Sequence, residues 1–412
     1  MSIAGSRVAI VGGSIAGCAA AIALGKAGCE VAVFERSSGE LEDRGAGIAI
    51  PVSLRDQLQS AGYLPASYPA CALAKRFWIL DDGTPQGRLL WKQPGQAVTN
   101  NWGVLWRSLR ANVRDTDYHD GVAMRSYRAD RGGVTVELGE GSGRRFDALV
   151  GADGYRSAIR QSMPWGSEAD YSGYILWRGN YEEGRVTDRA WIDRTDAEQA
   201  WTTVCFDGGH GVIYMIPNFD DRTDPGHRRV NWAVYTPQPE GLDFTEPTSL
   251  PPGEVGPELY AHLDRLLTES FPERIEALIR LSLRDEVSIQ PVYDELPVHY
   301  TAERTLLIGD AGAVTRPHTG SGATKALQDA LALEKLAREC TDWESLLEAY
   351  DAQRIASANT IVDLGRRIGR AQVEETPNWG AMTPEDFDAW TKATLAGESL
   401  YLYGNVQDAD GP

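Results

Sequence analysis

Arg7-Val-Ala-Ile-Val-Gly-Gly-Ser-Ile-Ala-Gly17 is the segment from which the architecture can be read. Its apolar run ends in glycine and predicts a buried strand. The Ala-rich segment Ile15 to Lys26 predicts a helix, Gly28 its stop, and Glu30-Val-Ala-Val-Phe-Glu35 a second strand. A strand–helix–strand unit of about 30 residues with glycines at its first turn is the dinucleotide fingerprint. Gly12 permits the tight turn, and Gly17 lets the helix pack closely on the strand. The helix N-terminus offers N–H groups and partial positive charge to a pyrophosphate. Glu35 ends the second strand, where a carboxylate accepts from a ribose 2′-hydroxyl and disfavours a 2′-phosphate. Ser14 stands where the middle glycine is usual, yet it is small enough for phosphates to approach. The alternative is a plain strand–turn–helix rich in small residues.

Outward from this unit, Arg76-Phe-Trp-Ile-Leu80 and Arg88-Leu-Leu-Trp91 flank Asp81-Asp-Gly-Thr84 and predict a hairpin. Residues 121–150 have strand character around Arg131-Gly-Gly133. Residues 171–240 are rich in Trp, Tyr and β-branched residues, with turns at 206–209 and 218–222, and predict an antiparallel sheet. Residues 256–283 read as helical. Thr305-Leu-Leu-Ile-Gly309 is another buried strand, and Ala323, Ala326, Leu327, Ala330 and Leu331 mark one face of the helix after it. The acidic tail from 371 carries Trp379, Phe387, Trp390, Tyr401 and Tyr403, a docked appendage rather than a disordered one, with a helix start at Thr383-Pro-Glu-Asp386.

The chain has 412 residues, 42% of them hydrophobic and 24% charged, which allows a large core and excludes a disordered or low-complexity protein. No apolar run approaches the ~18 residues of a membrane span. The N-terminus lacks a signal-peptide pattern, so a cytoplasmic location is expected. A net charge of −19 disfavours nucleic acid and anionic lipid as partners. The five cysteines form no CxxC, so no disulfide framework and no metal site are expected.

Two further motifs carry chemistry. Asp147-Ala-Leu-Val-Gly-Ala-Asp153-Gly154 places an acid and a glycine at the carboxyl edge of a strand, where ligands collect, or where Asp153 caps a helix. Ile308-Gly-Asp310 ends another strand. A loop through Pro317, His318, Gly320 and Gly322 then feeds a helix at Ala323. Asp310 can accept from a ribityl hydroxyl, and the amides near Gly320–Ala323 can stabilise negative charge on a reduced ring system. A capped helix start is the alternative here too.

With these three motifs in this order, the sequence resembles the class A flavoprotein aromatic hydroxylases, the family typified by para-hydroxybenzoate hydroxylase, over residues 7–370. Tyr171-Ser-Gly-Tyr-Ile-Leu-Trp-Arg178-Gly, Asp207-Gly-Gly-His210-Gly-Val-Ile-Tyr214 and Arg316-Pro-His318 are similar to the 2,6-dihydroxypyridine 3-hydroxylase branch. The resemblance implies an α/β fold: a Rossmann-like FAD domain of the GR2 type, an inserted antiparallel-sheet substrate domain and a C-terminal helical region. The expected FAD segments are residues 1–70, 99–170 and 284–370. A substrate-domain hairpin (71–98), a substrate domain (171–283) and an appendage (371–412) complete the chain.

The resemblance also implies bound FAD, with NADH or NADPH and O2 as co-substrates, and hydroxylation of an aromatic or heteroaromatic small molecule through a flavin C4a-hydroperoxide. The expected cofactor contacts are Gly12, Ser14, Ile15, Ala16, Gly17, Glu35, Arg36, Ile50, Arg107, Asp153, Gly154, Asp310, Pro317, Gly320, Gly322 and Ala323. Trp177, Arg178, His210 and Tyr214 are expected at the substrate, and His210 and His318 in catalysis. Each has a structural alternative: a cavity wall for Trp177, a salt bridge for Arg178, a solvent turn for His210, sheet packing for Tyr214 and a loop-fixing hydrogen bond for His318. A homodimer is compatible with the aromatic tail. An epoxidase or Baeyer–Villiger-like enzyme on the same fold, or a redox-neutral flavin- or ligand-binding protein, are the rival readings. A halogenase lacks its WxWxIP element, and a disulfide reductase its CxxxxC.

Overall fold

A computed structural model of the chain describes residues 2–39, 41, 46–139, 141, 143–241 and 249–395. Arg44, Gly45, Tyr401 and Tyr403 lie outside the described residues. The dinucleotide unit forms as read: strand Arg7–Val11, helix Ile15–Lys26 and strand Glu30–Phe34. The helix is buried from Ile15 to Leu24, so its small residues are a packing requirement. It lies between the sheet and the helix Ser321–Glu339.

A six-stranded sheet runs Thr301–Ala302, Thr305–Leu307, Ala148–Gly151, Arg7–Val11, Glu30–Phe34 and Tyr118–His119. All its pairs are parallel except the first. The carboxyl ends of Arg7–Val11, Ala148–Gly151 and Thr305–Leu307 therefore sit side by side, and all three sequence motifs emerge at one edge. A three-stranded antiparallel sheet, 124–130, 133–138 and 144–146, flanks it.

The second large sheet has eight strands in the order Val287–Asp294, Asp170–Glu182, Arg229–Pro237, Gly209–Ile216, Ala200–Phe206, Cys71–Leu80, Arg88–Asn101 and Gly47–Pro51. It is antiparallel except at one join, where Ala200–Phe206 runs parallel to Cys71–Leu80. That join is non-local and follows from the helix Ala190–Glu198, which turns the chain before it re-enters the sheet. Gly47–Pro51 and Val287–Asp294 fall within segments expected to be FAD domain, yet they pair here and close the two edges.

Period-two alternation gives this sheet two different faces. Ile175, Trp177, Val230, Trp232, Val234, Val204 and Phe77 pack on the helices Pro257–Ser270 and Glu273–Arg280. Leu176, Arg178, Ala233, Tyr235, His210, Val212 and Tyr214 face the other way and line a cavity.

The C-terminal helix Trp343–Gly369 leads to a last helix, Pro384–Leu395. Trp379 and Phe387 dock on Trp78 and Trp91, with the Trp91 and Phe387 rings stacked at 5.6 Å and Trp78 to Trp379 at 5.8 Å. No described helix is long and apolar enough to cross a membrane. Phe387→Ala is expected to cost about 3–5 kcal/mol, because the large side chain is fully buried between Trp78, Trp91 and Trp379. Urea unfolding followed by tryptophan fluorescence checks this; an unchanged midpoint would show that the appendage does not support the core.

Candidate active site

The turn after the first strand is fixed by backbone contacts that leave no room for a side chain. Gly12 has φ +101°, and a Cβ there would lie 2.2 Å from Ala152 O; one on Gly17 would lie 1.8 Å from Gly12 O. The Gly13 carbonyl accepts from Trp106 Nε1 at 2.9 Å and Tyr118 Oη at 3.0 Å. Glu35 Oε2 accepts from Gly13 N–H and Oε1 from Ser37 N–H, each at 2.8 Å. A carboxylate has about four acceptor sites, so two remain for an outside donor.

Gly12, Ser14, Glu35, Arg36, Asp153 and Gly154 line one cleft. Ile15 and Ala16 line no described cavity with their side chains. They are buried and stand in the first helical turn, where N–H groups lack intrahelical acceptors. Asp153 does both things expected of it. Its carboxylate accepts from Ser157 Oγ at 2.5 Å and Ile159 N–H at 3.2 Å, and it also borders the cleft. Burial raises its pKa.

The neighbouring loop carries the chain from this cleft to a second cavity, for Gly154 and Arg156 line the first and Tyr155 the second. Asp310, Pro317, His318, Gly320, Gly322 and Ala323 also line the second. The Gly309-Asp310 turn is held from behind by buried charge. Gly309 N–H donates to Asp329 Oδ2 at 2.9 Å, Lys325 Nζ donates to Gly309 O, and Arg354 pairs with Asp329 at 2.5 Å. Arg160 pairs with Glu295 at 2.9 Å and donates to the carbonyls of Asp310 and Ala311. Burial raises the Asp310 carboxyl, while Lys325 and Arg160 pull it down. Gly320, at φ +63°, starts the helix Ser321–Glu339, whose first N–H groups border the cavity.

Across this loop lies the inner face of the eight-stranded sheet. His210 is 1% exposed, and burial with nearby Arg76 lowers its pKa to about 3. It stacks on Tyr235 at 4.5 Å, and Tyr235 lies 4.3 Å from the His318 ring. His318 Nε2 bonds Tyr174 Oη at 2.7 Å, and burial holds the imidazole neutral. Tyr214 Oη donates to Gly47 O at 2.9 Å, and burial pushes its phenol up to about 12. Arg178 reaches the same carbonyl at 3.5 Å and Gln290 Oε1 at 3.4 Å. Among the described residues it has no carboxylate partner.

Three expectations are corrected. Trp177 is fully buried on the opposite face, stacked on His262 and bonded to Thr236 Oγ1, because adjacent strand residues point to opposite sides. Ile50 points into the core, and its neighbours Ile48 and Ala49 line the cavity instead. Arg107 lines no described cavity: it donates to Phe219 O at 2.9 Å and pairs with Asp221, while Trp106 on the same helix reaches Gly13. The sequence reading missed Arg76, Trp201, Tyr235, Gln290 and Gln372, all of which line the cavity. A signal existed for Arg76, a charged residue amid the apolar strand Cys71–Leu80.

The residues fit FAD. The glycine cradle excludes any side chain from the pyrophosphate turn. Glu35 keeps acceptor capacity, and Asp310 with the helix start at Ser321 lies beside an aromatic-sized cavity.

The comparisons agree with this geometry. The family described as FAD binding domain matches residues 6–177 and 265–364, and an FAD binding domain-like family matches 171–289. The chain is 26% identical to 2,6-dihydroxypyridine 3-monooxygenase of Paenarthrobacter nicotinovorans, covering 89% of this chain and 92% of that one. It is 28% identical to the FAD-dependent urate hydroxylase of Klebsiella oxytoca, covering 88% and 89%. The solved 2,6-dihydroxypyridine-3-hydroxylase from Arthrobacter nicotinovorans shares the fold, with TM-score 0.79, 24% identity and coverage of 91% and 95%. Klebsiella pneumoniae HpxO, solved with FAD and uric acid, does so with TM-score 0.76, 21% identity and coverage of 96% and 94%. The chain belongs to the FAD binding domain family, and it is an FAD-dependent monooxygenase.

Proposed function

We propose that the enzyme hydroxylates an electron-rich aromatic or heteroaromatic ring carrying an ionisable hydroxyl, with NAD(P)H and O2 as co-substrates. The observation that carries this reading is Arg178. It lines the cavity beside the FAD loop with no carboxylate to neutralise it among the described residues. A cation in a low-dielectric cavity favours the anionic form of a ring hydroxyl, and the anion is the electron-rich form. FAD supplies electron acceptance from NAD(P)H and activation of O2.

This chain's own residues do the rest. Arg178 and Arg76 hold the ring oxygen as an anion. His210, held neutral by burial, accepts a hydrogen bond from a ring hydroxyl and orients the ring, while the arginines favour its ionisation. Leu176, Val212, Ala233 and Val292 keep the reacting face dry. The eight-stranded sheet forms the substrate side and the six-stranded sheet the cofactor side of the site.

The test is anaerobic NAD(P)H addition to the holoenzyme, with and without 2,6-dihydroxypyridine. Flavin bleaching is expected to speed up by an order of magnitude or more with the ring present. Equally slow bleaching in both cases would sink the reading for this ring type.

Gly17→Ala is expected to abolish FAD retention, since its Cβ would occupy the space of Gly12 O. Absorbance of the purified variant near the flavin bands reads this directly. Retained flavin would place the cofactor elsewhere.

His210 protonates near 6.5 when unfolded but only near 3 when folded. Between those values the unfolded chain binds more protons, so the buried imidazole makes stability fall as pH falls below 6.5. His210→Asn should lose less stability than wild type from about pH 6.5 to about pH 4.5, by up to ~1.4 kcal/mol per pH unit. Denaturant midpoints across that range check it, and parallel curves would show that His210 is not neutral in the fold.

A further inference from the structure

The last wall of the cavity comes from the C-terminal helix. Helix Trp343–Gly369 runs on into a π turn, Arg370–Glu374, closed by Glu375 N–H to Arg370 O at 2.7 Å. An i→i+5 bond admits one extra residue, turns the following side chains about the axis, and is found most often at functional sites. Here two consecutive residues are buried. Val373 joins Tyr174, Leu176, Tyr235 and Val292, and Gln372 is 2% exposed and lines the cavity.

The turn is fastened on both sides. Glu374 pairs with Arg316 at 2.5 Å, Gly208 N–H donates to Thr376 Oγ1 at 3.1 Å, and Trp379 Nε1 donates to Phe206 O at 3.2 Å. The Gln372 carbonyl faces His210 Nδ1 at 3.4 Å. Among the described residues no hydrogen bond engages the Gln372 side-chain amide. Because Gln372 lines the cavity, its amide is open to that space, where a ligand atom can take the place of water on it. Arg76 lines the same cavity.

We infer that Gln372 binds substrate and sets specificity, its amide N–H donating to an anionic oxygen on the ring. This rests on the hydroxylase reading above. The ring then enters with that oxygen toward the C-terminal turn, between Gln372, Arg76 and His210. The turn is held before any ligand arrives, so little ordering is left to be done on binding.

The test uses Gln372→Met and Gln372→Glu holoenzymes titrated with 2,6-dihydroxypyridine, the ring's dissociation constant being read from the flavin spectrum. Methionine keeps the volume and removes the donor. Gln372→Met is expected to weaken binding by about three- to tenfold, to raise KM more than it lowers kcat, and to leave FAD content unchanged. Gln372→Glu is expected to weaken it further by repulsion. Binding equal to wild type in both variants would overturn the inference while ring-accelerated flavin reduction upheld the hydroxylase reading. Tighter binding by Gln372→Glu would overturn the anionic oxygen. Loss of FAD from both variants would assign the residue to the fold and overturn the inference as well. Wild-type reduction indifferent to the ring would remove both readings together.

Discussion

Everything in this protein depends on how closely three pieces of backbone approach one another at the carboxyl edge of the parallel sheet. A Cβ on Gly17 would meet Gly12 O at 1.8 Å, one on Gly12 would meet Ala152 O at 2.2 Å, and one on Gly309 would meet the Ala16 side chain at 2.9 Å. Each sequence motif thus presses on another, and no side chain larger than hydrogen fits at the joints. The close approach does two things at once. It seats the helix Ile15–Lys26 on the sheet, and it leaves a cleft lined by Gly12, Glu35 and Asp153 next to the cavity that Asp310 lines. A dinucleotide can lie against such a turn because its glycines let the backbone approach a pyrophosphate closely.

The second constraint is the pleat of the eight-stranded sheet. One face must satisfy two amphipathic helices, and it does so with Trp177, Trp232 and Phe77. The opposite face is thereby released from those two helices and lines the cavity. The same alternation brings polar groups into one chamber: Arg178 beside Ala233, Tyr214 beside Asn231, His210 beside Tyr235. Burial then decides their protonation. His210 and His318 stay neutral, because burial penalises the charged imidazole.

How much of this was legible in sequence depends on the range of the interaction that fixed it. The dinucleotide unit, the Gly-Asp turn and the antiparallel strands are local, written in glycines and apolar runs, and they were readable. Trp177 and Arg178 were both assigned to substrate, although neighbours on a strand cannot share a face. The residue pattern shows the alternation but not which phase meets the cavity. Arg107 and Trp106 pose the same problem on a helix, and there the side facing the cofactor turn belongs to Trp106. The parallel join of Ala200–Phe206 to Cys71–Leu80 links segments more than a hundred residues apart, and no local pattern encodes it.

Gln372 was the least legible residue, for a physical reason. Helical periodicity predicts facing from a constant 3.6 residues per turn, and a single π turn breaks that count; Gly369 just before it and Pro377 just after it read as an ordinary helix end rather than as a change of facing. The break also bears on how the chain packs after Gly369. A regular helix would carry the acidic tail away from the sheet. The π turn instead bends its side chains inward, so that Val373 and Gln372 meet the sheet and Trp379 and Phe387 reach Trp78 and Trp91. The appendage is therefore a single mechanical unit with the cavity wall. Its aromatic docking on Trp78 and Trp91 at one end and the burial of Val373 and Gln372 at the other fasten the same stretch of chain to one sheet.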